Sequence, residues 1–340
     1  MISAATNTVV ATVPVGIFPT GIAITPNGGF AYVTNTSSST ISVIDTATNT
    51  VVTAIPVSFP FMLALASSGN LGYVTHGALV NGVTVINTAT NSVVTNIPVP
   101  VDVALSAAVT PNGAFVYVTC FSSSTGSKLA VLDTATNTVV ALVPLPAGTF
   151  SQAVAITPNG AFAYVANNGS SHCCGGGVVA GSVSVIDTAS NSEIATVPVG
   201  SPLGIAVTPD GAFVYVTNIN DNTVSVMSTA TNTVVATVPV GNFPHSIAFG
   251  TLNDPIASLI DQVEALIAGG VLSQNQGAGL LDKIQEASAK IDAGQTAAAC
   301  NQLNSFINQV NGFITNGTLT PAQGQPLIDT ANVIKTNAGC

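Results

Sequence analysis

Side chains able to do chemistry are few in this sequence: three histidines (His76, His172, His245), five cysteines (Cys120, Cys173, Cys174, Cys300, Cys340) and fourteen acids. Neutral imidazole and thiolate are soft ligands suited to zinc or copper, which makes His172, Cys173 and Cys174 the cluster with a metal-binding composition. Their spacing matches no standard zinc pattern, and neighbouring cysteines in an oxidising compartment tend to pair. A disulfide within Cys120, Cys173 and Cys174 is therefore expected ahead of a metal site, and no other cofactor is expected. The recurring acids Asp45, Asp133 and Asp187 share their position with Asn87 and Ser228 in other copies of the same motif. That tolerance fits a turn-capping side chain better than a ring of ligands.

The elements that must position these residues are set by a repeat. FAYVTNTSSSTISVIDTATNTVV at 30–52 returns from Phe115, Phe162 and Phe213, and in worn form near Leu71. Its Asp position falls at Ser3, Asp45, Asn87, Asp133, Asp187 and Ser228, spacings of 42, 42, 46, 54 and 41 residues. A period in the low forties holding several short alternating runs is the length of one four-stranded propeller blade. The expected fold is mainly β: a β-propeller of five full blades and an incomplete sixth, the latter holding only an outermost strand at 7–13 and an innermost one at 245–250. Such a gap leaves strand edges that need covering.

Strand parity then decides which loops share a face, because successive strands of a blade run antiparallel. Near-constant TPNG and DTATNT turns take one face. The other collects the length variation, chiefly the insertion at 167–181 (NNGSSHCCGGGVVAG), and variable loops on a rigid scaffold are where binding resides. Candidate binding residues on this variable face are the last residues of each second strand, Asn35, His76, Cys120, Asn167 and Asn218, with His172 and His245. The innermost strands begin there at Thr20, Phe61, Leu105, Gln152, Leu203 and His245, so no carboxylate stands at the channel mouth. Asp102 and Asp221 lie in loops nearby and read as solvated acids, which disfavours a metal-dependent lyase or lactonase. The protein is expected not to be an enzyme.

Beyond Gly250 the period becomes helical. Pro255 opens a stripe of Ile256, Leu259, Ile260, Val263, Leu266 and Ile267, and Ser273 with Gln276 and Thr320 with Gln323 read as capping boxes. Four helices joined by short loops make a small antiparallel bundle, giving domains at 1–252 and 253–340. In a hairpin of the last two helices turning near 318, Cys300 lies 18 residues before the turn and Cys340 22 after it, which brings the thiols together.

Composition narrows the partners. Lys128, Lys283, Lys290 and Lys335 are the chain's four cationic side chains against a net charge of −10, so nucleic acid and anionic membranes are unlikely partners. No apolar run is long enough for membrane insertion. The opening MISAATNTVV lacks a basic and an apolar leader region, so a signal peptide has been removed or the sequence starts inside a longer chain. Few charges, many Thr, Ser, Asn and Gly, and the cysteines point outside the cell.

FAYVTN, FVYVTC, FAYVAN and FVYVTN, preceded by GIAITPNG or its like, resemble the YVTN family of β-propeller repeats over about 3–250. The resemblance implies a surface-layer or other secreted protein, usually of seven blades. ACNQLNSFINQVN and LTPAQGQPLIDTANVI resemble a helical domain appended to secreted bacterial proteins, often called FIMAH, which implies an accessory interaction role. The expected function is an extracellular or cell-surface scaffold binding a protein, peptide or glycan through its variable face. The alternative is a structural subunit of a surface layer or filament that joins copies of itself through spare edge strands.

Overall fold

The computed structural model describes residues 1–3, 8–77, 80–122, 124–169, 179–249 and 255–340. The chain divides into two compact units, one of Met1 and Val9–Phe249, the other of Ile2–Thr8 and Gly250–Cys340.

The first unit is a β-propeller. Five four-stranded antiparallel sheets, whose strands lie within 19–56, 60–97, 103–144, 149–198 and 202–239, each run in simple chain order from innermost to outermost strand. We number them blades 1 to 5. Two local devices make the blades. The Asn27 Oδ1 atom accepts from Thr25 Oγ1 at 2.7 Å while Gly28 takes φ 71°, a left-handed turn that a Cβ would strain. At the other end Asp45 Oδ1 accepts the Ala47 and Thr48 N–H groups at 3.0 and 2.8 Å, and Asn49 turns left-handed at φ 55°. Those bonds hold the Asp45 carboxyl below its usual pKa, the backbone N–H of Thr48 contributing most, and Asp133 and Asp187 repeat the arrangement. The recurring acids are turn caps.

Middle strands bury both faces because each blade is sandwiched between neighbours. Between blades 1 and 2, Tyr32, Ile41, Val43, Ile55 and Val57 pack on Leu63, Val74 and Ile86, and the same layer recurs between each later pair. The tyrosines also tie blades together: Tyr32 Oη donates to Asn91 Oδ1 of the next blade at 2.8 Å, and Tyr117 to Asn191 at 2.6 Å.

In the second unit α1 (Pro255–Ala268), α2 (Gln274–Asp292), α3 (Thr296–Thr315) and α4 (Pro321–Ala338) pack in a closed cycle around Leu259, Leu280, Ile284, Phe306 and Leu327. Ser273 Oγ accepts the Gln276 N–H, and Gln276 Oε1 accepts the Ser273 N–H, a reciprocal cap on α2. Cys300 and Cys340 are bonded, with Cα atoms 5.9 Å apart, so α3 is tied to the second residue past the end of α4. Among the described residues no helix is long and apolar enough to cross a membrane.

Candidate binding face

The loops between second and third strands lie beside the blade-to-blade connections: the Thr36 N–H donates to Phe18 O at 3.0 Å, and Ile219 N–H to Ser201 O at 2.8 Å. This face does not present the residues that close each second strand. Asn35, His76, Cys120, Asn167 and Asn218 are all buried. Their strand is covered on both sides, so the last side chain turns into the sheet layers, and a contact with a bound partner through these five positions is corrected accordingly. They act as internal polar links instead. Asn35 Nδ2 donates to Thr40 Oγ1 at 3.2 Å and Ser42 Oγ at 2.9 Å, and Asn218 makes the equivalent pair to Thr223 and Ser225 at 3.0 and 2.9 Å.

His76 fills the same place in blade 2, with Nδ1 2.7 Å from Ser58 O and Nε2 2.8 Å from Thr84 Oγ1. Burial pushes its pKa down, the hydrogen bonds from the ring to the backbone of Ser58 and Phe59 opposing. Cys120 is a free, buried thiol whose pKa burial pushes up to about 12, and its Sγ donates to Val118 O. It therefore takes no part in the expected disulfide. His172, Cys173 and Cys174 lie outside the described residues. Elsewhere, no three His, Cys, Asp or Glu converge to hold a metal ion among the described residues.

The propeller axis carries a cavity of about 540 Å³. Thr20, Phe61, Leu105, Gln152, Leu203 and His245 line it, one from each of six sectors, so the innermost-strand starts do meet at one mouth. His245 is exposed there, Nδ1 3.4 Å from its neighbour Ser246 Oγ. Asp221 is engaged beside the mouth, its Oδ2 accepting the Ser201 N–H at 2.8 Å.

What sequence reasoning missed stands two residues before three of these strand starts. Phe18, Phe59 and Phe243 occupy one repeat position in three successive sectors, each directly before a proline. All three are exposed, and all three hold left-handed backbone, at φ 58°, 45° and 55°. The loop of the preceding blade pins two of them: Phe59 N–H donates to Ser39 Oγ at 3.3 Å and Phe243 N–H to Asn222 Oδ1 at 2.9 Å. Such backbone costs a non-glycine residue about 1–2 kcal/mol, and bulky residues seldom adopt it. In blade 4 the equivalent Phe150 is instead in regular strand, tucked against Phe121 with ring centroids 4.7 Å apart. The repeated Phe-Pro pair was the available signal.

No protein-family model and no curated protein matches the chain. Among solved structures it is similar to Kuenenia stuttgartiensis hydrazine synthase at 23% identity and a TM-score of 0.66, over 72% of this chain and 81% of that one. The likeness is one of fold, and it agrees with the propeller built from the repeats.

Proposed function

We propose that this chain is an extracellular or cell-surface β-propeller that binds a glycan, peptide or neighbouring protein on the face around the channel mouth. The observation that carries the reading is the arc of Phe18, Phe59 and Phe243: large aromatic rings held in solvent on strained backbone. Strain of this kind collects at ligand clamps, and exposed aromatics supply large contact area at low entropic cost. The bonded Cys300–Cys340 pair and the low charge support an oxidising, extracellular setting. The YVTN-like repeats and FIMAH-like tail support a secreted protein whose helical domain is a second interaction module.

The test is binding of the purified chain to a printed panel of glycans and peptides, with Phe18→Asn, Phe59→Asn and Phe243→Asn combined. Asparagine accepts left-handed backbone, so the variant should melt no lower than the wild type. Its binding should fall more than tenfold. Undiminished binding by a folded variant would remove the arc from the site. The open sixth sector favours a second reading, a structural subunit joined through spare strand edges, which size-exclusion chromatography with negative-stain imaging separates from the first.

A further inference from the structure

The axial cavity is shaped by the convergence of the innermost strands. At the second residue of each strand start, neighbouring backbones come so close that a Cβ on Gly21 would stand 3.0 Å from Phe61 O and one on Gly204 2.8 Å from His245 O. Small residues hold this place in blades 1, 3, 4 and 5, as Gly21, Ser106, Ala153 and Gly204, while Met62 of blade 2 reaches back over Gly21. The space left along the axis, about 540 Å³, lies within the range of roughly 300–1,000 Å³ that encloses a small organic molecule.

Its lining is uncharged. Among the described residues no Asp, Glu, Lys or Arg borders the cavity, and Phe61, Met62, Leu105 and Leu203 give it an apolar wall across blades 2, 3 and 5. An ionised ligand group would lose its water there without meeting an opposite charge, which disfavours acids and amines alike.

Two polar side chains interrupt that wall at the boundary of blades 3 and 4. Thr119 Oγ1 accepts the Ser106 N–H at 3.0 Å and donates to Gln152 O at 3.3 Å, so one hydroxyl brings the two residues next to each other. Both line the cavity. The Thr20 hydroxyl is already engaged, donating to Phe61 O at 2.7 Å, but the Ser106 hydroxyl and the Gln152 carboxamide make no hydrogen bond to any described residue. A few convergent polar groups on an apolar wall are what orient a bound small molecule, and this pair can both donate and accept.

We propose that the axial cavity binds an uncharged amphiphilic small molecule, its apolar body against Phe61, Met62, Leu105 and Leu203 and its head, one that both donates and accepts as a carboxamide does, on Gln152 and Ser106. Gln152 Nε2 would donate to the carbonyl oxygen of the head and its Oε1 would accept the N–H, with Ser106 Oγ donating to the same carbonyl. Such a ligand is a different one from anything held on the phenylalanine arc, and the proposal stands without that reading.

The probe is 1-N-phenylnaphthylamine, an uncharged dye whose emission rises in apolar surroundings, titrated into the full chain and displaced with octanamide or octanoate at about pH 8. The dye should bind saturably and one to one, and octanamide should displace it at a concentration at least tenfold below octanoate, which has the same chain and a charge. Gln152→Leu should raise the octanamide concentration needed about fivefold, as loss of one hydrogen bond requires, without weakening the dye itself. Leu203→Asp, at a half-buried position on the wall, should weaken dye and octanamide at least tenfold with unchanged circular dichroism. Should that variant lose its fold, Gln152→Leu decides alone. Absence of saturation, equal displacement by octanamide and octanoate, or wild-type octanamide binding by Gln152→Leu overturns the proposal. So does full dye binding by a folded Leu203→Asp variant, because that places the dye on another surface.

Discussion

The Thr217 hydroxyl lies 3.3 Å from the carbonyl oxygen of His245 and donates to it. Thr34 makes the same bond to Phe61 O at 2.6 Å, Thr75 to Leu105 O at 2.9 Å and Thr119 to Gln152 O at 3.3 Å. In each case a second-strand threonine ties its blade to the innermost strand of the next. The bond from Thr217 thus identifies 245–249 as the start of a sixth sector, although among the described residues no second strand pairs with it.

These hydroxyls are two-sided. Thr75 Oγ1 also accepts the Met62 N–H at 3.1 Å, so Thr75→Val leaves a buried donor and a buried acceptor unmatched at nearly constant shape. A loss of about 1–3 kcal/mol is expected in urea unfolding. Blade 4 carries Ala166 at this position and dispenses with the link. If Thr75→Val unfolds at the wild-type urea midpoint, the tie is not a stabilising element.

His76 gives the propeller a pH dependence separate from that of its carboxylates. Its folded pKa lies below the ordinary value of 6.5, so from there downward the unfolded chain binds a proton that the folded chain refuses. Stability should therefore fall as pH drops below about 6.5 and go on falling to the folded pKa. Asp45, Asp133, Asp187 and Asp210 are also held below their usual value, and their loss sets in only in the carboxylate range. His76→Asn installs the residue found in blades 1, 4 and 5, and should flatten the melting temperature between pH 7 and 5. An unchanged slope would place the sensitive group elsewhere.

The repeat made the propeller legible because its turns are chemical: Asp45, Asn49 and Gly28 each satisfy a specific backbone need, and their recurrence fixes strand number and order. The incomplete sector was legible too, as a shortage of copies. Side-chain direction at strand ends was not. Asn35 and His76 read as surface residues because they border loops, but neighbouring blades cover both faces of a middle strand, a fact outside the period of any single blade. Phe18, Phe59 and Phe243 escaped for a related reason: residues before proline favour extended backbone, so local preference argues against the conformation they hold.

Removing the Cys300–Cys340 bond should act on the helical unit. A closed loop of this length, at a sequence separation of 40, limits the unfolded chain by about 4 kcal/mol in the chain-entropy model. In Cys300→Ser with Cys340→Ser, the bundle should melt earlier by calorimetry while the propeller transition stays in place. Loss of both transitions together would show that the two units unfold as one.

The internal asparagines allow a comparison within one molecule. Asn167 is fully matched: Ser151 Oγ donates to its Oδ1 at 2.7 Å and its Nδ2 donates to Ser184 Oγ at 2.7 Å. Across from Asn35 and Asn218 stand Pro19 and Pro202 instead of a serine, and there the Oδ1 atoms are shielded without a partner. An unmatched buried carbonyl already costs the folded state part of what its Nδ2 bonds contribute. Asn167→Ala should therefore destabilise the propeller more than Asn35→Ala, by about 1–2 kcal/mol, and Ser151→Ala alone should cost most of that difference by orphaning the Asn167 oxygen. Urea midpoints of the three variants decide it. Equal losses for Asn35→Ala and Asn167→Ala would mean that water supplies the donor that Pro19 lacks.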